Sequence, residues 1–172
     1  MNKTLAKSAR IIINAGIKMM QCAFGVPAKS KMMASDVLVW IKKILPIETA
    51  SFDLYAYLVP TQVWKDWIEF DWTREKKYLE DVFDCDDFAH AFGTHASEIL
   101  DITVFRVYGL VHNKNTGKKI GYHYWNAAVS QDPDGKHLYF IEPQNGIMTE
   151  VLGQKEIIMG EMKYTPVKIY LY

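Results

Sequence analysis

The hydrophobic pattern of this chain changes once, near residue 102, and that change limits the folds it can adopt. Before this point apolar side chains recur every three or four residues, the spacing that buries one face of a helix. Four segments show this spacing: residues 35–45, 61–68, 73–82 and 85–100. After residue 102 the chain is rich in β-branched and aromatic residues, a composition typical of strands. The sequence therefore predicts a helical N-terminal half followed by a sheet.

The strands of the second half are predicted to pair in antiparallel fashion. Asp132-Pro133-Asp134-Gly135 has the residue types of a tight turn. It lies between two apolar segments, Tyr122 to Val129 and Leu138 to Glu142. If this turn closes a hairpin, Gln131 pairs with Lys136, and the register of the whole hairpin follows from that pair.

The C-terminal segment from Tyr164 to Tyr172 also alternates. Pro166 within it favours an edge strand, because proline has no backbone N–H to donate to a neighbouring strand. Together these elements predict an α+β fold in which helices cover one face of an antiparallel sheet. A chain of 172 residues is short of the length at which chains divide. We therefore expect a single domain over 1–172, with residues 1–34 forming a peripheral basic segment.

Charge is segregated along the chain although the totals cancel. Residues 1–43 carry a net charge of +7, residues 44–101 carry −9 and residues 102–172 carry +2. Because the chain lacks bulk basicity, a nucleic-acid partner is disfavoured. No segment approaches the roughly 18 continuous apolar residues of a membrane span, which disfavours a membrane partner. The simplest interpretation is that the basic N-terminal segment packs on the acidic middle of the chain.

The chain has two cysteines, Cys22 and Cys85, too few for the disulfide framework of a small secreted domain. The N-terminal residues include basic and apolar stretches like those of a secretory signal, but Lys18 interrupts the apolar stretch. The sequence therefore favours a cytoplasmic location, with export as the alternative if the N-terminal segment is a signal.

Cys85 opens the last predicted helix, where the backbone amides have no partner within the helix. A free cysteine on an apolar helix face is commonly a small buried side chain. A thiol at a helix N-terminus is also a candidate nucleophile, because the helix dipole favours the thiolate. The acids Asp84, Asp86 and Asp87 oppose the thiolate unless they cap the helix. A nucleophilic Cys85 therefore requires a cationic partner.

His123 is the best candidate for that partner. It lies on a predicted strand, with Trp125 on the same face. In the register set by the turn, Glu142 lies diagonally across from His123 on the neighbouring strand, within reach of a long side chain. A carboxylate there can fix the imidazole tautomer and stabilise the protonated ring. Asn126 and Gln144 are alternatives for this orienting role.

These residues resemble the transglutaminase-like cysteine proteins of the papain-like superfamily. The resemblance covers about residues 78–146 and rests on three elements. They are the segment Asp84-Cys85-Asp86-Asp87-Phe88-Ala89, a His-X-Trp strand 38 residues after the cysteine, and an acid-Pro pair 19 residues further. The resemblance implies a helix bearing Cys85 that packs on an antiparallel sheet supplying His123 and Glu142. It also implies an amide or acyl hydrolase, or an acyltransferase, that forms an acyl-enzyme at Cys85.

The same resemblance implies an alternative function, because the family contains members that have lost catalysis and serve as binding or scaffold domains. Such a domain would hold a peptide, a glycan or a protein partner, whereas an active enzyme would act on a peptide, glycopeptide or protein substrate. The candidate substrate-binding residues are Trp72, Trp125, Asn126 and Gln144. No cofactor is expected. No metal is expected either, because Asp86, His90 and His95 match no common ligand spacing.

Overall fold

The structure is a computed structural model that describes residues 15–19, 21–22, 29–51, 53–80 and 84–171. Most of the predicted peripheral N-terminal segment lies outside these ranges, as does the end of the helix predicted over 73–82. Residues 15–19 and 21–22 are helical. None of the described helices is long and apolar enough to cross a membrane.

The α-helices after residue 29 are α1 (Ala34–Ile44), α2 (Thr61–Phe70) and α3 (Cys85–Leu100). Each buries one apolar face, as its residue spacing predicts; in α1 this face is formed by Val37, Leu38 and Ile41. The helix predicted to start at Thr73 is instead a short 3-10 helix, Thr73–Glu75.

Nine strands lie within the described residues: β1 (Ser30–Met33), β2 (Glu48–Ser51), β3 (Tyr55–Leu58), β4 (Phe105–Asn113), β5 (Lys119–Asp132), β6 (Gly135–Glu142), β7 (Ile147–Glu150), β8 (Ile157–Met159) and β9 (Met162–Leu171). The main sheet has the order β2-β9-β4-β5-β6-β7, and β8 also pairs with β9. β1 and β3 form a separate two-stranded sheet.

The predicted architecture, a helical N-terminal half with helices on one face of an antiparallel sheet, is wrong. Strand residues outnumber helical ones in the described part of the chain, 42% against 32%. The three strands β1, β2 and β3 all lie in the N-terminal half, and β2 runs parallel to β9. Each of the three has only four residues, too few for a periodic signal, and each pairs with a strand distant in sequence.

Helices cover both faces of the main sheet. The apolar face of α1 belongs to one core, which includes Trp125 and Ala127 of β5. The apolar faces of α2 and α3 belong to a second core, which includes Ala128 of β5. Adjacent residues of one strand point to opposite faces, so β5 contributes to both cores. By the same alternation His123 lies on the face of Trp125.

The predicted hairpin register is confirmed. Gln131 pairs with Lys136, and the ladder between β5 and β6 runs back to Asn126 opposite Ile141. Glu142 is the last residue of β6. The β5 residues before Asn126 are therefore next to the end of β6, and this brings His123 near Glu142.

The prediction that the C-terminal strand is an edge strand is wrong. β9 pairs with β4 along its length and with β2 and β8 on its other side. Pro166 lies opposite Gly109, where the register between β4 and β9 shifts. A Cβ atom at Gly109 would lie 2.3 Å from the carbonyl oxygen of Thr165. The irregular pairing and the missing side chain therefore allow a proline inside the sheet.

Candidate functional site

Cys85 is the first residue of α3, and the acids around it form the helix cap. The side chain of Asp84 accepts a hydrogen bond from the Asp86 backbone N–H at 3.3 Å. The side chain of Asp87 accepts one from the Asp84 backbone N–H, also at 3.3 Å, which completes a capping box. Two of the three acids are thus used to begin the helix. Cys85 itself is half-buried.

His123 interacts with Glu142 and lies near Cys85. Its Nε2 atom lies 2.7 Å from Oε2 of Glu142, and the Cys85 side chain is close enough to the ring to affect its pKa. Burial alone would lower the pKa of His123, but the interactions with Cys85 and Glu142 outweigh burial and raise it to about 9. The imidazole therefore carries a positive charge at neutral pH.

Glu142 is held by three donors in a buried position. Besides His123, the Tyr164 hydroxyl donates to Oε2 at 2.8 Å, and the Gln144 backbone N–H donates to Oε1 at 3.2 Å. The exposed fraction of Glu142 is 2%. Burial, together with the charge and the hydrogen bond of Glu142, raises the pKa of Tyr164, so this hydroxyl stays protonated as a donor. These contacts fix the carboxylate that orients His123.

Tyr164 is a site residue that sequence reasoning missed. It lies near the start of β9, the strand predicted to be at the edge of the sheet. The irregular pairing of β9 with β4 shifts its alternation, so the sequence pattern could not assign Tyr164 to the face of His123. The signal that remains is weak: an aromatic residue in an alternating segment.

Cys85, His123 and Glu142, called the row below, have side chains that are suited to nucleophilic attack and proton transfer. A thiol beside an imidazole can act as a nucleophile, and the imidazole can give a proton to a leaving group. The buried carboxylate balances the imidazolium charge and fixes the ring orientation. The first backbone amides of α3 point toward the same end of the helix as the thiol, where they can donate to developing negative charge.

The other predicted residues near this row have different positions. Trp125 is fully buried and stacks on His123 with the ring centroids 6.1 Å apart, so it supports the imidazole from the core side. Asn126 donates from Nδ2 to the Ala89 carbonyl oxygen at 2.9 Å, not to His123. Gln144 meets Glu142 through its backbone N–H. The orienting group for His123 is therefore Glu142.

Trp72, the fourth predicted binding residue, belongs to a separate cluster. It stacks on His95 with ring centroids 4.2 Å apart. His95 Nδ1 lies 2.7 Å from Oδ1 of the buried Asp71, whose other oxygen accepts the Thr73 backbone N–H at 2.9 Å. This cluster ties the 3-10 helix to α3.

Two groups in the described ranges each bring the ligand atoms of three side chains within 4.8 Å of one another: Asp84, Cys85 and Asp86, and Asp132, Asp134 and His137. In the first group Asp84 caps α3. In the second, Asp132 accepts from Thr61 and both nitrogens of His137 contact carboxylates. Ligand atoms of Asp84, Asp132 and His137 thus already have partners within the chain. The absence of a metal or cofactor stays a prediction.

A cleft that the sequence did not predict opens between α3 and β3. Its volume is about 420 Å³, within the range of small-molecule sites, about 300–1,000 Å³. The sixteen residues that line it include Tyr55, Tyr57, Gly93, Arg106 and Asn126. Asn126 is 2% exposed, and its Oδ1 atom has no hydrogen-bond partner among the residues that the structure describes. Leaving such an acceptor unpaired costs about 1–3 kcal/mol.

No protein-family model matches the chain, and no curated protein matches it significantly. Several solved structures share its fold, among them the following two. One, named "PSL1a-E64 complex", is 15% identical with a TM-score of 0.59, and the match covers 81% of this chain and 51% of that chain. The other is Polyporus squamosus lectin bound to the human-type influenza-binding epitope Neu5Aca2-6Galb1-4GlcNAc; it is 16% identical with a TM-score of 0.58, and the match covers 81% and 49%. The chain thus spans about half the length of each.

These matches overturn the resemblance to transglutaminase-like cysteine proteins, together with the papain-like fold and the cysteine-protease class that it implied. The structures with the same fold include a lectin, and neither is named as a transglutaminase-like protein. The motifs behind the resemblance describe a capped helix start and two strands, a small part of the sheet. What the comparisons establish is the fold, which the chain shares with Polyporus squamosus lectin over 81% of its length.

Proposed function

We propose that this chain is a binding domain for a glycan or for a protein that carries one. The observation that carries the proposal is the shared fold, which extends over four-fifths of the chain, with a lectin whose structure holds a sialylated trisaccharide. An open cleft with aromatic and hydrogen-bonding side chains agrees with a binding role. The peptide or protein partner predicted from the sequence stays a prediction.

Titration of the full chain with saccharides tests this function. The probes are Neu5Acα2-6Galβ1-4GlcNAc, its neutral part Galβ1-4GlcNAc, and the unrelated neutral disaccharide maltose. We expect at least one probe to give saturable binding by calorimetry and saturation-transfer NMR. The absence of binding for all three, at concentrations up to the millimolar range, would contradict the proposal.

A second candidate function is favoured by a separate observation, the hydrogen-bonded pair of His123 and Glu142 with Cys85 beside the imidazole. In this candidate Cys85 is a reactive thiol that His123 activates and Glu142 orients. Its substrates would be amides or esters, because a thiolate beside an imidazolium is suited to acyl transfer. The candidate does not depend on the glycan proposal, and the two functions can coexist in one chain.

The chemistry of this candidate is an acyl transfer in two steps. The Cys85 thiolate attacks the acyl carbon, and a C–S bond forms. The bond from that carbon to the leaving nitrogen or oxygen then breaks, and His123 gives its proton to the leaving group. Water or an amine next attacks the thioester, His123 accepts the proton of this nucleophile, and the thiolate is regenerated.

Thiol labelling tests the second candidate with a control inside the same chain. Cys22 is exposed, whereas Cys85 is half-buried, so exposure alone predicts faster labelling of Cys22. We expect iodoacetamide at pH 6.5 to label Cys85 at least about tenfold faster, because an ordinary thiol is almost fully protonated there. The substitution His123→Ala should remove the difference. Slow labelling of Cys85 in the unmodified protein would exclude a reactive thiol.

A further inference from the structure

The cleft between α3 and β3 contains an acceptor that the fold does not use. Asn126 lies on the α3 side of β5, and its Nδ2 atom is committed to the Ala89 carbonyl oxygen. That bond fixes the amide orientation, because only the nitrogen can donate to a carbonyl. Oδ1 therefore faces away from Ala89 as a buried oxygen to which no residue in the described part of the chain donates. A ligand that supplies a donor would satisfy it.

The wall beside Asn126 is open because Gly93 has no side chain. Gly93 lines the cleft, and a Cβ atom built there would lie 3.8 Å from Asn126 Nδ2, an ordinary contact distance. A methyl group fits at this position, but a larger side chain would extend toward the space that a ligand needs. Residue 93 thus controls access to Asn126.

The remaining lining has donors, acceptors and aromatic rings without a strong excess of charge. Arg106 lines the cleft and donates toward His90 Nδ1 at 2.6 Å. Asp53 and Asp101 add carboxylates, and Asp101 is paired with Lys29 at 2.9 Å. The positive charges of Arg106 and Lys29 balance the negative charges of the two aspartates, so the lining does not select a ligand of either sign. A neutral hydroxyl group can donate to Asn126 and accept from an arginine.

Two aromatic rings in the cleft favour a ligand that has both apolar and polar surfaces. Tyr55 and Tyr57 line the cleft, with Lys31 Nζ 3.7 Å from the Tyr55 ring centroid. Tyrosine rings offer apolar surface beside polar groups, a combination suited to ligands that have both. A pyranose has both, since its faces carry C–H groups and its edge carries hydroxyl groups.

We infer that the α3–β3 cleft binds a neutral saccharide, one hydroxyl of which donates a hydrogen bond to Asn126 Oδ1. This inference rests on the proposed glycan-binding function and assigns it a site. The site is separate from the row of Cys85, His123 and Glu142, none of which lines the cleft. Saccharide binding and thiol reactivity are therefore expected to respond to different substitutions.

A matched pair of variants at one position tests the inference. Gly93→Leu fills the space beside Asn126, whereas Gly93→Ala adds a methyl group at an ordinary contact distance and serves as the control. Asn126→Leu removes the acceptor directly and forms a third variant. The full chain and each variant are titrated with Galβ1-4GlcNAc, maltose and Neu5Acα2-6Galβ1-4GlcNAc, and thermal unfolding checks that each protein is folded.

We expect a neutral saccharide to bind the unmodified chain and Gly93→Ala with similar affinity, and to bind Gly93→Leu at least about tenfold more weakly. A folded Asn126→Leu should show a similar loss. Equal binding by all folded variants would overturn the site while leaving glycan binding intact. Binding of the sialylated probe alone would overturn the neutral class. If no probe binds the unmodified chain, both the site and the proposed function fail.

Discussion

Two imidazole–carboxylate pairs in this molecule have hydrogen bonds of the same length but lie in different surroundings. His123 Nε2 lies 2.7 Å from Glu142, and His95 Nδ1 lies 2.7 Å from Asp71. Both carboxylates are almost fully buried, with exposed fractions of 2% and 3%. The pairs differ in their other neighbours. The ring of His123 meets a thiol, whereas His95 Nδ1 also contacts the Thr73 hydroxyl at 3.3 Å.

The comparison separates structural from chemical roles. The pair of His95 and Asp71 holds a 3-10 helix against α3, and Trp72 covers the ring. The pair of His123 and Glu142 lies where β5 passes the end of β6 and meets the first residue of α3. A buried pair is thus ordinary structure by itself. The position of Cys85 is what makes one of the two a candidate for chemistry.

Removing the carboxylate of Glu142, the partner of His123, should have the largest effect on stability. Glu142→Ala would leave the buried His123 charge and the Tyr164 hydroxyl without their acceptor. We expect a loss of about 3–5 kcal/mol in the free energy of unfolding, measured by chemical denaturation. Glu150→Ala is the control, because the partly exposed pair of Glu150 and His137 should contribute less than about 1 kcal/mol. Equal losses in Glu142→Ala and Glu150→Ala would show that burial does not make the Glu142 pair more important for stability than the Glu150 pair.

The charge of His123 should make stability depend on pH. Burial lowers its pKa, and the interactions with Cys85 and Glu142 more than compensate, so its folded pKa is about 9 against 6.5 for an ordinary histidine. Because folding raises this pKa, the stabilisation is complete below pH 6.5 and is lost as the pH rises through 9. Denaturation at pH 6 and pH 9.5 should show a decrease that is smaller in His123→Gln. An NMR titration of His123 with a midpoint near 6.5 would contradict this expectation.

Removing the charge of Glu142 should lower the reactivity of Cys85, whereas removing the charge of Asp71 should not. Glu142→Gln keeps the size of the side chain but removes the charge that stabilises the imidazolium. We expect iodoacetamide labelling of Cys85 to slow about tenfold at pH 6.5, the effect of roughly one pKa unit in a partner group. Asp71→Asn, the same change in the other pair, should leave the labelling rate unchanged. A similar slowing in both variants would indicate a general loss of structure.

The helix start at Cys85 and the approach of His123 to Glu142 could be predicted because each depends on a local signal. The spacing of apolar residues and the run of acids predicted a helix start at Cys85, which the structure confirms. The turn at Asp132–Gly135 fixed the hairpin register, and the register fixed the diagonal between His123 and Glu142. Such signals depend on residues close in sequence or on one short hairpin.

The architecture around these residues could not be predicted, because it depends on contacts between distant segments. β2 exists through its pairing with β9, and nothing in its four residues marks it as a strand. Pro166 indicated an edge, but Gly109 on the neighbouring strand makes room for it in the interior of the sheet. The cleft is formed by α3, β3 and β4 together, so no single segment indicates it. Short motifs suggested a family that the fold contradicts.

The smallest effect is expected from the Thr73 hydroxyl, which lies beside the imidazole of His95. Thr73→Val keeps the buried volume but removes the hydroxyl next to His95. We expect a loss of about 0.5–1.5 kcal/mol in the free energy of unfolding, because one neutral hydrogen bond disappears. The labelling rate of Cys85 should not change. If Thr73→Val altered that rate, the two pairs would be coupled through α3, and the assignment of separate structural and chemical roles would be wrong.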